Sequence, residues 1–96
     1  MTYSEILDNL HRFQIDNAQR YQIARLGIFG SATRNHMADA RDIDIVVELI
    51  EPDLFVLIGI KQELEELLKR PVDIVRYRNE MNQELKHRID TEAVYV

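Results

Sequence analysis

Asp42 and Asp44 stand one residue apart at the head of a run in which Ile43, Ile45, Val47 and Leu49 alternate with Asp44, Val46 and Glu48. Alternation of this kind predicts a strand. Its period of two puts both carboxylates on one face, with Ile43 and Ile45 turned into the core behind them. Two ionised carboxylates about 5 Å apart repel by about 3 kcal/mol at an effective dielectric of 20, so such a pair wants a cation. Magnesium suits it, because that ion prefers oxygen ligands, keeps several waters and accepts phosphate oxygens from a substrate. The alternative is a solvated strand end whose acids pair with Arg41 or Arg34. Asp73 adds a third carboxylate, flanked by Val72, Ile74 and Val75 in a segment fit for burial, where an unpartnered aspartate is costly. If its strand neighbours the first, three carboxylates converge on one cleft. That set supports two metal ions roughly 4 Å apart, one activating an attacking oxygen and one steadying leaving phosphates.

Gly30-Ser31 falls where another apolar run, Ile23 to Phe29, ends and a helix is expected to begin around Ala32 to Asn35. Glycine there lets the backbone approach a ligand closely, free amides at a helix start favour a phosphate, and the Ser31 hydroxyl adds a donor. A plain turn with a capping serine explains the same pair of residues.

These groups need a scaffold, and the chain alternates segment types. Tyr3, Ile6, Leu7, Leu10 and Phe13 recur at helical spacing behind Ser4, which predicts a helix over about 4–18 with Ser4 as its cap. Ile23 to Phe29 and Ile43 to Leu49 read as strands. Pro52 and Asp53 open a helix with Leu54, Leu57, Ile58, Leu64, Leu67 and Leu68 on one side. Val72 to Val75 follows Pro71 as a third strand, Asn79 or Glu80 to Ile89 as a last helix, and 93–96 as an edge strand. Interleaved helices and strands predict an α/β class with a small mixed sheet flanked by helices, in a single domain over 1–96. Tyr3, Phe13, Phe29 and Phe55 are expected in the core.

Composition narrows the function. The chain has 96 residues, no cysteine and a net charge of -5, which excludes thiolate metal sites and argues against a general nucleic-acid binder. Residues 31–60 hold six acids and two bases, whereas both flanks nearly balance. No apolar run reaches membrane-spanning length and the start lacks a signal-peptide pattern, so a cytoplasmic location is expected. His11, His36 and His87 show no ligand spacing. Arg76, Arg78, Lys86 and Arg88 form a basic cluster that reads as a solvated helix face or, beside an acidic cleft, as part of a partner-binding surface. Walker loops and Ser-His-Asp arrangements are absent.

Residues 26–47, Leu-Gly-Ile-Phe-Gly-Ser-Ala-Thr-Arg-Asn-His-Met-Ala-Asp-Ala-Arg-Asp-Ile-Asp-Ile-Val-Val, resemble the signature of the polymerase-beta-like nucleotidyltransferases. More narrowly they resemble the minimal nucleotidyltransferase domains of bacteria and archaea, with Phe-Gly-Ser, then an arginine, then Asp-x-Asp. The leading helix, the Val-Asp-Ile-Val strand and the closing Glu-Ala-Val-Tyr fit as well, so the likeness runs over nearly the whole chain. It implies that Gly30 and Ser31 hold a triphosphate tail, that Asp42 and Asp44 ligate two Mg²⁺ ions, and that Asp73 ligates the catalytic one and helps deprotonate the acceptor hydroxyl. Arg34 falls on the family's arginine, contacting phosphate or bracing the turn. Thr33, Asn35 and Arg41 depart from the customary alanine, glycine and serine. Asn35 tolerates a left-handed conformation, while a cation at Arg41 competes with metal or binds substrate phosphate.

Larger members of the family carry an extra helical domain for the acceptor, so here the acceptor is expected to be another protein. The resemblance implies an antitoxin paired with a small helical HEPN-type ribonuclease toxin, moving AMP from ATP onto a toxin tyrosine in a hetero-oligomer, with neither direct nucleic-acid nor membrane binding. Two other readings stand beside it: a non-catalytic antitoxin that neutralises by binding, and transfer of a nucleotide to a small molecule.

Overall fold

The computed structural model describes residues 1–30 and 42–96. In order these form α1 (Tyr3–Tyr21), β1 (Ile23–Phe29), β2 (Ile43–Leu49), α2 (Leu54–Leu68), β3 (Val72–Arg76), α3 (Gln83–Glu92) and β4 (Val94–Tyr95). The expected helix start over residues 32–35 lies outside the described residues.

Polar caps set the helix limits. Thr2, not Ser4, starts α1: its hydroxyl accepts the Glu5 N–H at 3.1 Å, while the Glu5 carboxylate accepts the Thr2 N–H at 3.0 Å. This reciprocal box satisfies two amide donors that a bare helix end would leave open. The helix runs to Tyr21, past the expected Ala18, and stops at Gln22 in a left-handed conformation (φ 55°) whose N–H reaches the Ala18 carbonyl. Replacing Thr2 by Ala is expected to cost about 1 kcal/mol and lower Tm by roughly 4–8 °C, read by thermal melting. Asp53 caps α2 by accepting the amides of Phe55 and Val56. Asn82 caps α3 through the Leu85 amide, which moves that helix start to Gln83, beyond Asn79 and Glu80.

The sheet has the order β3-β2-β1-β4, with β2 and β3 parallel and the other pairs antiparallel. Parallel neighbours need a crossover, and α2 provides it between β2 and β3. On one face Ile6, Leu10 and Phe13 of α1 and Ile60, Leu64 and Leu68 of α2 close over Leu26, Ile28, Ile43, Ile45, Val47 and Val72. On the other, α3 lays Ile89, with Met81 beside its start, over Phe29 and Val46. Each fully buried Leu or Ile contributes roughly 1.5–3 kcal/mol, so the larger layer carries most of the stability.

Part of the expected stripe on α2 points outward. Leu54 is 68% exposed, Phe55 83% and Ile58 43%. The buried stripe steps by four from Ile60 through Leu64 to Leu68, and the first turn faces away from it. Phe55 is therefore not a core residue, whereas Phe13 and Phe29 are buried and Tyr3 packs at the core's edge. Among the described residues no helix is long and apolar enough to cross a membrane.

Candidate active site

Strand register lines up the chemistry. Asp44 of β2 is the Cα partner of Asp73 in β3 on one side and of Phe29 in β1 on the other. Facing residues of neighbouring strands lie about 5 Å apart with side chains on the same face, so Asp73, Asp44 and Phe29 form one row across three strands. The odd-numbered Ile43, Ile45 and Val47 point into the larger core, which leaves Asp44 on the α3 side together with Val46. Asp44 is half-buried and Asp73 exposed. Asp42 sits at the bend before β2, exposed, two residues before Asp44. The adjacency of β2 and β3, which the sequence left as a condition, is met.

Gly30 ends β1 beside this row. It is buried, with φ at +72°, a left-handed conformation that favours glycine. A Cβ there would run into the Asp44 carboxylate, meeting Oδ2 first and Cγ at 3.1 Å. The absent side chain is therefore the space into which the Asp44 carboxylate turns. This close approach involves a neighbouring strand, in addition to any ligand.

The start of β3 is tied down from α2. Glu65 Oε2 accepts the Val72 N–H at 2.9 Å and lies 3.3 Å from Lys61 Nζ. The Ile43 N–H donates to the Pro71 carbonyl at 3.0 Å, joining the heads of β2 and β3. The Val72 amide, and then Lys61, hold the Glu65 carboxyl below its ordinary 4.5. A carboxyl lowered in the folded state contributes stability that is fully present above 4.5 and lost as pH falls through the lower folded value. Glu65→Gln is expected to flatten the fall in Tm between about pH 5 and about pH 3, checked by melting both proteins across that range.

α3 brings a cation to the Phe29 end of the row: the Arg88 guanidinium lies 5.9 Å from the Phe29 ring centroid. The basic cluster seen in the sequence is split by the helix. Lys86 turns to the other side, 5.4 Å from the Tyr77 ring and 3.4 Å from Asp90. The lower end of this sheet face is filled by Arg25, which bonds Glu48 at 2.7 Å and lies over the rings of Tyr77 and Tyr95. That bond to Glu48 raises the Arg25 pKa further. Among the described residues, that leaves the end of this face with Asp44 and Asp73 for chemistry.

Ser31, Thr33, Arg34, Asn35, His36 and Arg41 lie outside the described residues. Among the described residues, Asp42, Asp44 and Asp73 included, no three His, Cys, Asp or Glu side chains gather closely enough to form a ready-made metal cage. The expected convergence of three carboxylates is therefore not met: Asp44 and Asp73 are paired in register, and Asp42 lies two residues before that pair. Magnesium does not require one, since it is commonly held by one or two carboxylates together with waters and substrate phosphates. The all-carboxylate donors and the space that Gly30 leaves for the Asp44 carboxylate fit such an ion.

The polymerase beta nucleotidyltransferase family model matches residues 14–96. A protein adenylyltransferase, MntA of Thermococcus cleftensis, is 30% identical over 97 residues, covering 100% of this chain and 97% of its own. A solved structure provisionally named a minimal nucleotidyltransferase superposes with a TM-score of 0.80 at 26% identity, covering 98% of this chain and 95% of that one. A chain from the Shewanella oneidensis complex of a tri-AMPylated HEPN toxin with its MNT antitoxin superposes at 0.73 with 21% identity, covering 98% of this chain and 71% of that chain. The fold, a four-stranded mixed sheet with helices on both faces, is thus that of the minimal nucleotidyltransferases. The chain belongs to the polymerase beta nucleotidyltransferase family.

Proposed function

We propose that this chain is an antitoxin that works as a Mg²⁺-dependent protein adenylyltransferase, moving AMP from ATP onto a tyrosine hydroxyl of a HEPN-type ribonuclease toxin in the cytoplasm. The observation that carries the reading is the register of Asp44 against Asp73 on the sheet face where Gly30 leaves room for a carboxylate. Likeness to an archaeal protein adenylyltransferase, and to a chain solved with an AMPylated HEPN toxin, supports the choice of acceptor.

The partner's tyrosine oxygen forms a bond to the α-phosphorus of ATP as the bond to pyrophosphate breaks. Asp73 takes the hydroxyl proton on a carboxylate oxygen, and its exposed position at the strand head leaves it open to an incoming protein side chain. Asp42, Asp44 and Asp73 would together supply carboxylate oxygens to the magnesium. Bound magnesium screens the charge that develops on the phosphate oxygens. Gly30, with Ser31 and Arg34, cradles the triphosphate. The Asp44 backbone is held by pairing on both sides within the sheet, which fixes the point from which its carboxylate reaches the nucleotide.

Incubation with labelled ATP, Mg²⁺ and the toxin is expected to yield toxin carrying AMP on tyrosine, located by mass spectrometry. A toxin that stays unlabelled overturns the reading. If Asp42→Asn and Asp44→Asn protect cells from the toxin as well as wild type does, neutralisation is by binding alone.

A further inference from the structure

We propose that Arg88 of α3 binds the phosphate chain of the nucleotide, an inference that rests on the reading above and adds a residue from the far end of the chain to its site. Arg88 stands over Phe29, Phe29 pairs with Asp44, and Asp44 pairs with Asp73. The acidic row thus has carboxylates at one end and a guanidinium at the other. Adjacent strands are about 4.8 Å apart, so Asp73 and Phe29 stand about 10 Å apart, and the exposed guanidinium over the buried Phe29 ring lies within the reach of a triphosphate whose α-phosphorus is at the aspartates.

Three features suit Arg88 to this role. Its side chain is 51% exposed, so its five donors reach an arriving anion. Its ion pair is with Glu92, one turn on, at 3.8 Å and also half-exposed. A pair of that kind is weak, and exchanging it for a phosphate costs little. Contact with the buried Phe29 ring restricts where the guanidinium goes, and a planar fork over a ring is better preorganised for two-point phosphate binding than a lysine. Lys86, two residues earlier, is engaged with Tyr77 and Asp90 and does not share this position.

The test measures binding of ATP and of AMP, each with Mg²⁺, to wild type, Arg88→Gln, Arg88→Lys and Glu92→Gln, with thermal melts alongside. Arg88→Gln is expected to weaken ATP about tenfold while AMP changes less than about twofold, and Arg88→Lys to recover part of the loss. Glu92→Gln, which frees the guanidinium, is expected to bind ATP as wild type does or more tightly. If Glu92→Gln copies the loss, the pair within α3 matters and the phosphate role is overturned. Equal weakening of ATP and AMP, or ATP binding unchanged in Arg88→Gln while the wild type labels its toxin, overturns the assignment and leaves the proposed function standing. A wild type that neither binds ATP nor labels the toxin overturns both.

Discussion

Asparagine in place of Asp73 is expected to lower AMP transfer by about a thousandfold, about 4 kcal/mol in the barrier, without lowering Tm. The two halves of this expectation have one cause. Asp73 and Asp44 face each other across parallel strands, and like charges directly opposite are destabilising. A fold selected for stability alone would place a threonine or valine at 73. The exposed Asp73 side chain supports no buried layer, whereas Val72 before it is fully packed, so neutralising the charge removes repulsion and leaves the core intact. Single-turnover labelling of the toxin, with melts of the same samples, separates the two quantities. A variant within tenfold of wild-type rate shows that Asp73 stands outside the reacting centre. A variant that loses rate because it melts several degrees lower shows that Asp73 is structural.

The parts legible in the sequence were those that local pattern determines. Ile43, Ile45, Val47 and Leu49 alternate with residues of the other face, so β2 and its buried side follow from a period of two. Whether Asp73 joins Asp44 depends on where α2 returns the chain. That is a tertiary outcome carried by Ile60, Leu64, Leu68 and the Glu65 bond to Val72, and no local period reports it. Thr2 was readable, since a threonine three residues before Glu5 is the signature of a capping box, and Ser4 was the weaker choice because no glutamate or glutamine follows it at that spacing. Phe55 misled for a different reason. Aromatic residues are usually buried, yet the first turn of α2 precedes the point where that helix meets the sheet.

Arg88 shows how a charge cluster loses its meaning in one dimension. Arg76, Arg78, Lys86 and Arg88 are equivalent on paper. In the fold α3 lies across the sheet with Ile89 beneath it, which sends Lys86 and Asp90 toward Tyr77 and Arg88 toward Phe29. The residue in sequence that could have drawn attention to Arg88 is the neighbouring Ile89, because a buried position fixes the directions of the residues around it on a helix.

Alanine at Gly30 is expected to cut AMP transfer about a hundredfold and to lower stability by roughly 1–2 kcal/mol, and these losses have separable origins. The stability term is backbone strain, since φ of +72° is a left-handed conformation that a side chain disfavours. The activity term is displacement, since the new methyl occupies the place of the Asp44 carboxylate. Carboxylate groups can swing aside, so the protein survives the clash by giving up the position on which the chemistry depends. A double-mutant cycle with Asp44→Ala tests this division. In that background the clash is gone, and Gly30→Ala is expected to keep its strain cost while losing less transfer than it does beside an intact Asp44, the remainder being its contact with the triphosphate. Fully additive losses of activity in the cycle would show that Gly30 does not act through the Asp44 carboxylate. A Gly30→Ala protein with wild-type transfer would show that the carboxylate position seen here is not the one used in the reaction.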